Sequence, residues 1–179
     1  MNEIETLDSK VVYQNKWMTV REDRIRRPSG AEGIYGVVDK PDFVAILPIQ
    51  DDHIHIVGQY RYPIRKWCWE IPQGSWESEP DTDHRLLAAG ELREETGLIA
   101  QSFTYVGYTH EAYGHSSQGC HIYLASDFEM AEQQLDEEEE GLLTKSISIE
   151  EFEGMLISGE IRDAATITAY GLAKLKKLI

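Results

Sequence analysis

The first half of the chain reads as a series of strands. Residues 10–15 and 18–26 are short extended segments, and Arg27-Pro28-Ser29-Gly30 is a turn signal. Residues 33–38 form a further strand, ended by Lys40-Pro41. The run 43–49 is continuously apolar, the pattern of a strand buried on both faces. After a turn at Asp51-Asp52, residues 53–60 alternate around Ile54, Ile56 and Gly58 as a half-buried strand does. The pattern then changes period. In 83–96, Leu87, Ala88 and Leu92 fall at helical spacing, with Thr82 or Asp83 able to cap the start and Gly97-Leu98 able to stop the helix. Strands follow at 103–108, 121–125 and 142–147. Ser148-x-x-Glu151 is a capping box opening a helix to about Leu156, and Asp163 opens a last helix that ends on Lys176 and Lys177. This order predicts a mixed sheet covered by helices, an α+β fold of α-β-α sandwich type.

Composition changes that picture little. A chain of 179 residues that is 41% hydrophobic can bury a core within one domain. No run approaches the roughly 18 apolar residues of a membrane helix, and the acidic, polar start 1–7 does not read as a secretory signal. The net charge of −15 has more consequence. It repels nucleic acid and anionic membranes, and it repels a free nucleotide too unless cations bridge it to the protein. Cys68 and Cys120 make neither a disulfide framework nor a metal-type spacing, so both are expected as buried thiols in a reducing cytoplasm.

The chemistry concentrates in Gly90-Glu91-Leu92-Arg93-Glu94-Glu95-Thr96-Gly97-Leu98. Residues three and four apart share a helix face, which puts Glu91 beside Glu94 and Glu95. Three carboxylates on one face repel unless a cation neutralises them, and hard divalent ions take such oxygen ligands together with substrate phosphates. The plain alternative is a solvated acidic face. Against it stand the glycine loop Pro72-Gln73-Gly74 just upstream and the Glu-Glu-Thr-Gly-Leu ending of the helix.

With these features the chain resembles the Nudix hydrolases. Gly74 takes the first glycine of their box, and Glu91, Leu92, Glu94, Glu95, Gly97 and Leu98 take its later positions. The resemblance implies a Nudix fold, with a loop-helix-loop binding magnesium, or manganese in its place. The ligands would be Glu91, Glu94, Glu95 and the carbonyl of Gln73. Two positions depart from the box. The interval between Gly74 and Glu91 is two residues longer than the box allows, leaving Glu79 and Asp81 as candidates for its first glutamate. Gly90 stands where the box has an arginine that pairs with the glutamates, a charge that Arg93 or Arg85 could supply.

The likeness runs from about residue 10 to residue 175 and points to the ADP-ribose pyrophosphatase-like branch. Its carriers are Val11-Val12-Tyr13, Gln59-Tyr60-Arg61-Tyr62-Pro63, Trp69-Glu70-Ile71-Pro72-Gln73-Gly74 and Gly159-Glu160-Ile161-Arg162-Asp163-Ala164-Ala165-Thr166. It implies a strand extension at 1–40 that serves dimerisation, a Nudix hydrolase domain at 41–179, and a homodimer. It implies substrate contacts by Arg61 to phosphate, by Glu70 near the nucleotide and by the loop at Gly74. An arginine fork suits phosphate oxygens, and an ordinary ion pair is the alternative for both Arg61 and Glu70. Tyr113 and Gln118 replace a proline and a glutamate of that branch; Tyr113 reads either as a base-stacking ring or as a surface aromatic. Trp67 and Trp69 are core residues or stacking platforms, and His110 and His115 are loop hydrogen-bonders before they are bases. The acidic run 136–140 is ordinarily a solvated loop; the resemblance implies a catalytic or metal-linked glutamate there, Glu137 or Glu139, beside Glu94 and Glu95 as catalytic carboxylates, with a box or loop glutamate as the general base.

The expected activity is hydrolysis of a nucleoside diphosphate sugar such as ADP-ribose, by attack of water on one phosphorus. Two other readings are open: a Nudix-fold module that binds a nucleotide without cutting it, which Gly90 and the long loop favour, and a dinucleoside polyphosphate hydrolase, hinted at by Tyr113.

Overall fold

A computed structural model describes residues 3–76, 78–79, 81–135 and 139–179. Chain contacts divide it into two compact units: residues 1–42 with 110–119, and residues 43–109 with 120–179.

The first unit is built on an antiparallel three-stranded sheet in the order β1 (Glu5–Gln14), β2 (Thr19–Arg26), β3 (Glu32–Asp39). β1 begins well before the apolar run at Val11-Val12-Tyr13. Its polar first half is held by pairing to β2 and by ion pairs such as Arg26–Glu5 at 2.8 Å, so hydrophobicity carried no sign of it. Asp23 is buried, where Arg21 and the Ser9 hydroxyl, donating at 2.6 Å, compensate its charge. Residues 110–119 are stitched to the end of β3. Val38 N–H donates to His115 O at 2.8 Å, Ser117 N–H donates to Val38 O at 3.1 Å, and the Tyr35 hydroxyl donates to Gly114 O at 2.8 Å.

The second unit holds a seven-stranded sheet. Its path is β10 (Leu143–Ser148), β5 (His53–Arg61), β4 (Phe43–Gln50), β9 (Gly119–Met130), β8 (Leu98–His110), with β6 (Lys66–Glu70) on β5 and β7 (Gln73–Gly74) on β4. β4 and β9 pair in parallel, whereas β4 pairs antiparallel with both β5 and β7. The mixed sheet flanked by helices is the fold class expected from the sequence. β4 explains its own unbroken apolar run. Val44 and Ile46 point to helix α1 (His84–Thr96), where they join Leu87, Ala88 and Leu92. Ala45 and Leu47 point the other way, into a core with Phe152 of α2 (Ile149–Ser158) and Ala165, Ala169 and Tyr170 of α3 (Ala164–Leu175). A strand covered on both faces has no polar side to alternate with.

α1 starts at the Asp83 cap, whose carboxylate accepts from Arg85 N–H and Leu86 N–H, and stops at Gly97, which has φ 71°. A Cβ at Gly97 would lie 2.5 Å from Ala131 O, so the close approach of the following segment also requires glycine. Because this stop turns the chain directly into β8, that strand begins at Leu98, five residues before the segment its hydrophobicity marks. Cys120 is buried as expected. Cys68 is only half-buried, because β6 is an outer strand paired to β5 alone.

Candidate active site

The three helical glutamates do not share one environment. Glu91 and Glu95 are turned inward and buried, while Glu94 is half-buried. Their positions follow from helix geometry: a residue and the one four further on lie on one stripe, and the third falls to the side. The third member of the inward group comes from far along the chain. Carboxylate oxygens of Glu91, Glu95 and half-buried Glu139 all lie within 4.8 Å of one another. Glu139 was one of the two candidates in the acidic run; the other, Glu137, lies outside the described residues. The chain reaches Glu139 through a segment docked on the end of α1. There Ala131 N–H donates to Gly97 O at 2.7 Å, Gln134 N–H to Glu94 O at 3.0 Å and the Gln133 amide to Glu95 O at 2.5 Å, satisfying carbonyls that a helix end leaves open.

Gln73 and Gly74 sit against this group on β7. Gln73 N–H donates to a Glu95 carboxylate oxygen at 3.1 Å, which brings that peptide to the cluster. Gly74 lies so close to Glu91 that a Cβ would be 2.5 Å from the carboxyl carbon and 2.7 Å from Oε1. The glycine of the loop is therefore needed for the glutamate of the helix to fit.

Arg61 and Glu70 pair with each other. Glu70 is buried and accepts from Arg61 Nε at 3.2 Å, from Arg61 Nη2 and from the Gln59 amide at 2.9 Å. Burial pushes the Glu70 carboxyl up, with Arg61 pulling in the opposite direction. Burial acts to lower Arg61, yet Glu70, Glu95 and Asp163 hold its pKa above the ordinary value. Arg61 is thus a cation within range of the Glu95 charge. The Arg85 guanidinium lies 5.7 Å over the Phe103 ring, and Arg93 is exposed. Glu79 and Asp81 are exposed too, and neither belongs to the carboxylate cluster among the described residues.

Asp163 and Thr166 were not singled out by the sequence as site residues. Asp163 caps α3, accepting from Thr166 N–H and Oγ1, each at 2.8 Å, and Thr166 Oγ1 accepts from Ile71 N–H at 3.0 Å. This chain of bonds fixes the peptide next to Glu70. The Asp-x-x-Thr capping pattern was visible; its partner across the fold was not. Tyr113 belongs to the first unit, is 84% exposed, and lies in the loop stitched to β3. Gln118 is committed locally, donating its amide to Pro41 O at 2.8 Å, and His110 Nδ1 lies 3.4 Å from Gln118 O.

The donor set fits a hard divalent cation. Glu95 is 1% exposed, and burial, followed by Glu91, Glu139 and Glu70, raises its pKa well above the ordinary range. A buried carboxylate held against two others has its charge met either by a proton or by a metal ion.

Comparison with known proteins places the chain in a family. The family model of the nucleoside diphosphate sugar hydrolase N-terminal domain matches residues 4–38. The ADP-ribose pyrophosphatase of Mycobacterium tuberculosis is 30% identical over 168 residues, 93% of this chain and 81% of that protein. The ADP-ribose pyrophosphatase of Bacillus subtilis is 26% identical over 179 residues, 99% of this chain and 96% of its own length. The crystal structure of an ADP compounds hydrolase superposes with a TM-score of 0.86 at 21% identity, covering 97% of this chain and 94% of that one, a likeness of fold. The chain belongs to the Nudix hydrolases, in their ADP-ribose pyrophosphatase-like branch, and is an enzyme of that class.

Proposed function

We propose that this enzyme hydrolyses the diphosphate of a nucleoside diphosphate sugar, ADP-ribose being the foremost candidate, to a nucleoside monophosphate and a sugar phosphate. The observation that carries this is the trio of buried Glu91, buried Glu95 and half-buried Glu139, with Arg61 within range of the Glu95 charge. Glu91 and Glu95 would hold magnesium, or manganese in its place, with Glu94 and the Gln73 carbonyl as further ligands. The ion would neutralise diphosphate oxygens and acidify the attacking water. Arg61 would bind a phosphate through its fork, keeping Glu70 as its second partner. Glu139, attached to a loop rather than the helix, would take the proton from the water. The new bond forms between water oxygen and phosphorus, the anhydride oxygen–phosphorus bond breaks, and the second phosphate leaves with that oxygen. Glu70 and the loop at Gly74 would line the way to the sugar and base.

We further propose that the strands of residues 1–40 dimerise the protein, which leaves Val11, Val12, Tyr13 and Ile34 more than half exposed in a single chain. A reducing, cytoplasmic setting suits two cysteines that form no disulfide, and among the described residues no helix is long and apolar enough to cross a membrane.

The test is product chromatography after incubation with magnesium and, separately, ADP-ribose, GDP-mannose, NADH and a dinucleoside polyphosphate. AMP and ribose 5-phosphate from ADP-ribose are the expected result. Preferential cleavage of another compound would replace ADP-ribose as the substrate, and intact compounds in every sample would sink the proposal.

A further inference from the structure

Two contacts of opposite sense join β7 and the loop after it to α1. At Gly74, the last residue of β7, a side chain of the helix, Glu91, enters a notch on that segment. At Gly90 the reverse holds: a side chain of the loop, Trp76, enters a notch on the helix. A Cβ on Gly90 would stand 2.8 Å from Trp76 Cη2 and closer still to Cζ2, so the position can carry no side chain while the indole stays. The two notched glycines are matched by neighbours on each side. Gly74 and Trp76 are two apart along the chain, and Gly90 and Glu91 are adjacent on the helix. Trp76 is half-buried and packs against the core beneath α1, which includes Val44, Leu87 and Leu92. It therefore connects that core to the residue directly preceding Glu91.

We infer that Trp76 and Gly90 form a steric interlock that sets the position of Glu91, making Trp76 a positioning residue for the acidic cluster. A glycine in a helix interior lowers helix stability and would otherwise be a poor residue there. The indole supplies what the glycine forgoes, apolar contact over the helix backbone, and it holds the longer loop down at the point where Gln73 and Gly74 meet Glu95 and Glu91. Arginine at position 90 and tryptophan at position 76 exclude each other in this loop conformation. The departure at Gly90 and the indole are thus two halves of one arrangement. The functional half of the inference rests on the metal-binding reading above; the steric half does not.

The experiment is a double-mutant cycle read by melting temperature and by magnesium titration. Gly90→Ala should lower Tm in the wild-type background, because the methyl meets the indole. In a Trp76→Ala background the same change should raise Tm by about 2–4 °C, the ordinary gain of alanine over glycine in a helix. The same sign in both backgrounds would overturn the interlock. If Gly90→Ala alone does not fold, a folded double variant more stable than Trp76→Ala supports the inference, and an unfolded double variant overturns it. The second readout is the magnesium concentration that gives half of the magnesium-induced rise in Tm. It should increase about tenfold in Trp76→Ala, as for residues that orient metal ligands, and be largely restored in Trp76→Phe. An unchanged midpoint beside a reversed Tm sign would reduce the pair to packing and overturn the positioning role. No magnesium effect in the wild type would remove the metal reading, and the positioning role with it, while the Tm signs would still report the interlock.

Discussion

Glu95 shows how one position can oppose folding and still be kept. Its folded-state pKa lies above the ordinary 4.5, because burial and the carboxylates of Glu91, Glu139 and Glu70 disfavour its charge. The folded chain therefore holds that proton more tightly than the unfolded chain, and stability is lost as pH rises through the raised value. Glu95→Gln should accordingly melt at a higher temperature than wild type in EDTA, and the gap should widen from about pH 4.5 towards neutrality. The same variant should lose about a hundredfold or more in turnover. It should also lose the stabilisation that magnesium gives the wild type, about 2.7 kcal/mol at a hundredfold excess over Kd. Arg61 is the opposite case. Removing it in Arg61→Ala leaves buried Glu70 without its cation. Its side chain is 39% exposed, so the cost should fall below that of a fully buried pair, at about 1–3 kcal/mol by urea denaturation. KM should rise more than kcat falls, and Arg61→Lys should recover charge but not the two-pronged geometry.

At the scale of elements, the site is where the ends of α1 and α3 meet the β6–β7 segment. α1 is fixed at its start by the Asp83 cap and by His84, which stacks on His121 with ring centroids 4.1 Å apart, its Nδ1 2.5 Å from the Tyr123 hydroxyl. It is fixed at its end by Gly97 and the segment 131–134. α3 does more than cover the sheet, since the bond from Ile71 N–H to Thr166 ties its first turn to the residue after Glu70. Thr166→Val should cost about 1–3 kcal/mol, the penalty for a buried N–H left without an acceptor. Asp163→Ala should cost about 1–2 kcal/mol through the lost cap. Urea midpoints check both. If the tie positions Glu70 for substrate, Thr166→Val should also raise KM with the magnesium midpoint unchanged, and Thr166→Ser should restore both stability and KM.

At the scale of the whole molecule, a single chain exposes Val11, Val12, Tyr13 and Ile34 on its N-terminal sheet while carrying a net charge of −15. Such charge opposes self-association in general, so a dimer would have to meet through this apolar surface rather than through the acidic one. Light scattering should give twice the 20.4 kDa of one chain. Val12→Asp should shift the mass towards that of the monomer, and a wild-type mass of one chain at micromolar concentration would overturn the dimer.

Among the described residues, eight of the ten strands, the three helices, and their caps and stops were legible in the sequence because each rests on local causes: period, capping side chains, and glycine where φ is positive; β6, β7 and the polar first half of β1 carried no such signal. The sequence also set Glu91 beside Glu95, four apart on one helix, but grouped Glu94 with them and gave no sign of which would be buried. What only the tertiary structure decided is which distant groups join them. Glu139 joins them from the acidic run, beyond the segment 131–134 that docks on α1. Arg93 and Arg85 were the candidates for the missing box charge and Arg61 for a phosphate contact; in the structure Arg61 pairs with Glu70 within range of the Glu95 charge, Arg85 lies over Phe103 and Arg93 is exposed. Gly90 read as a defect in a helix until Trp76 occupied the space above it. Sequence spacing fixes neighbours along an element, whereas charge pairing and steric fit between elements depend on how their faces meet.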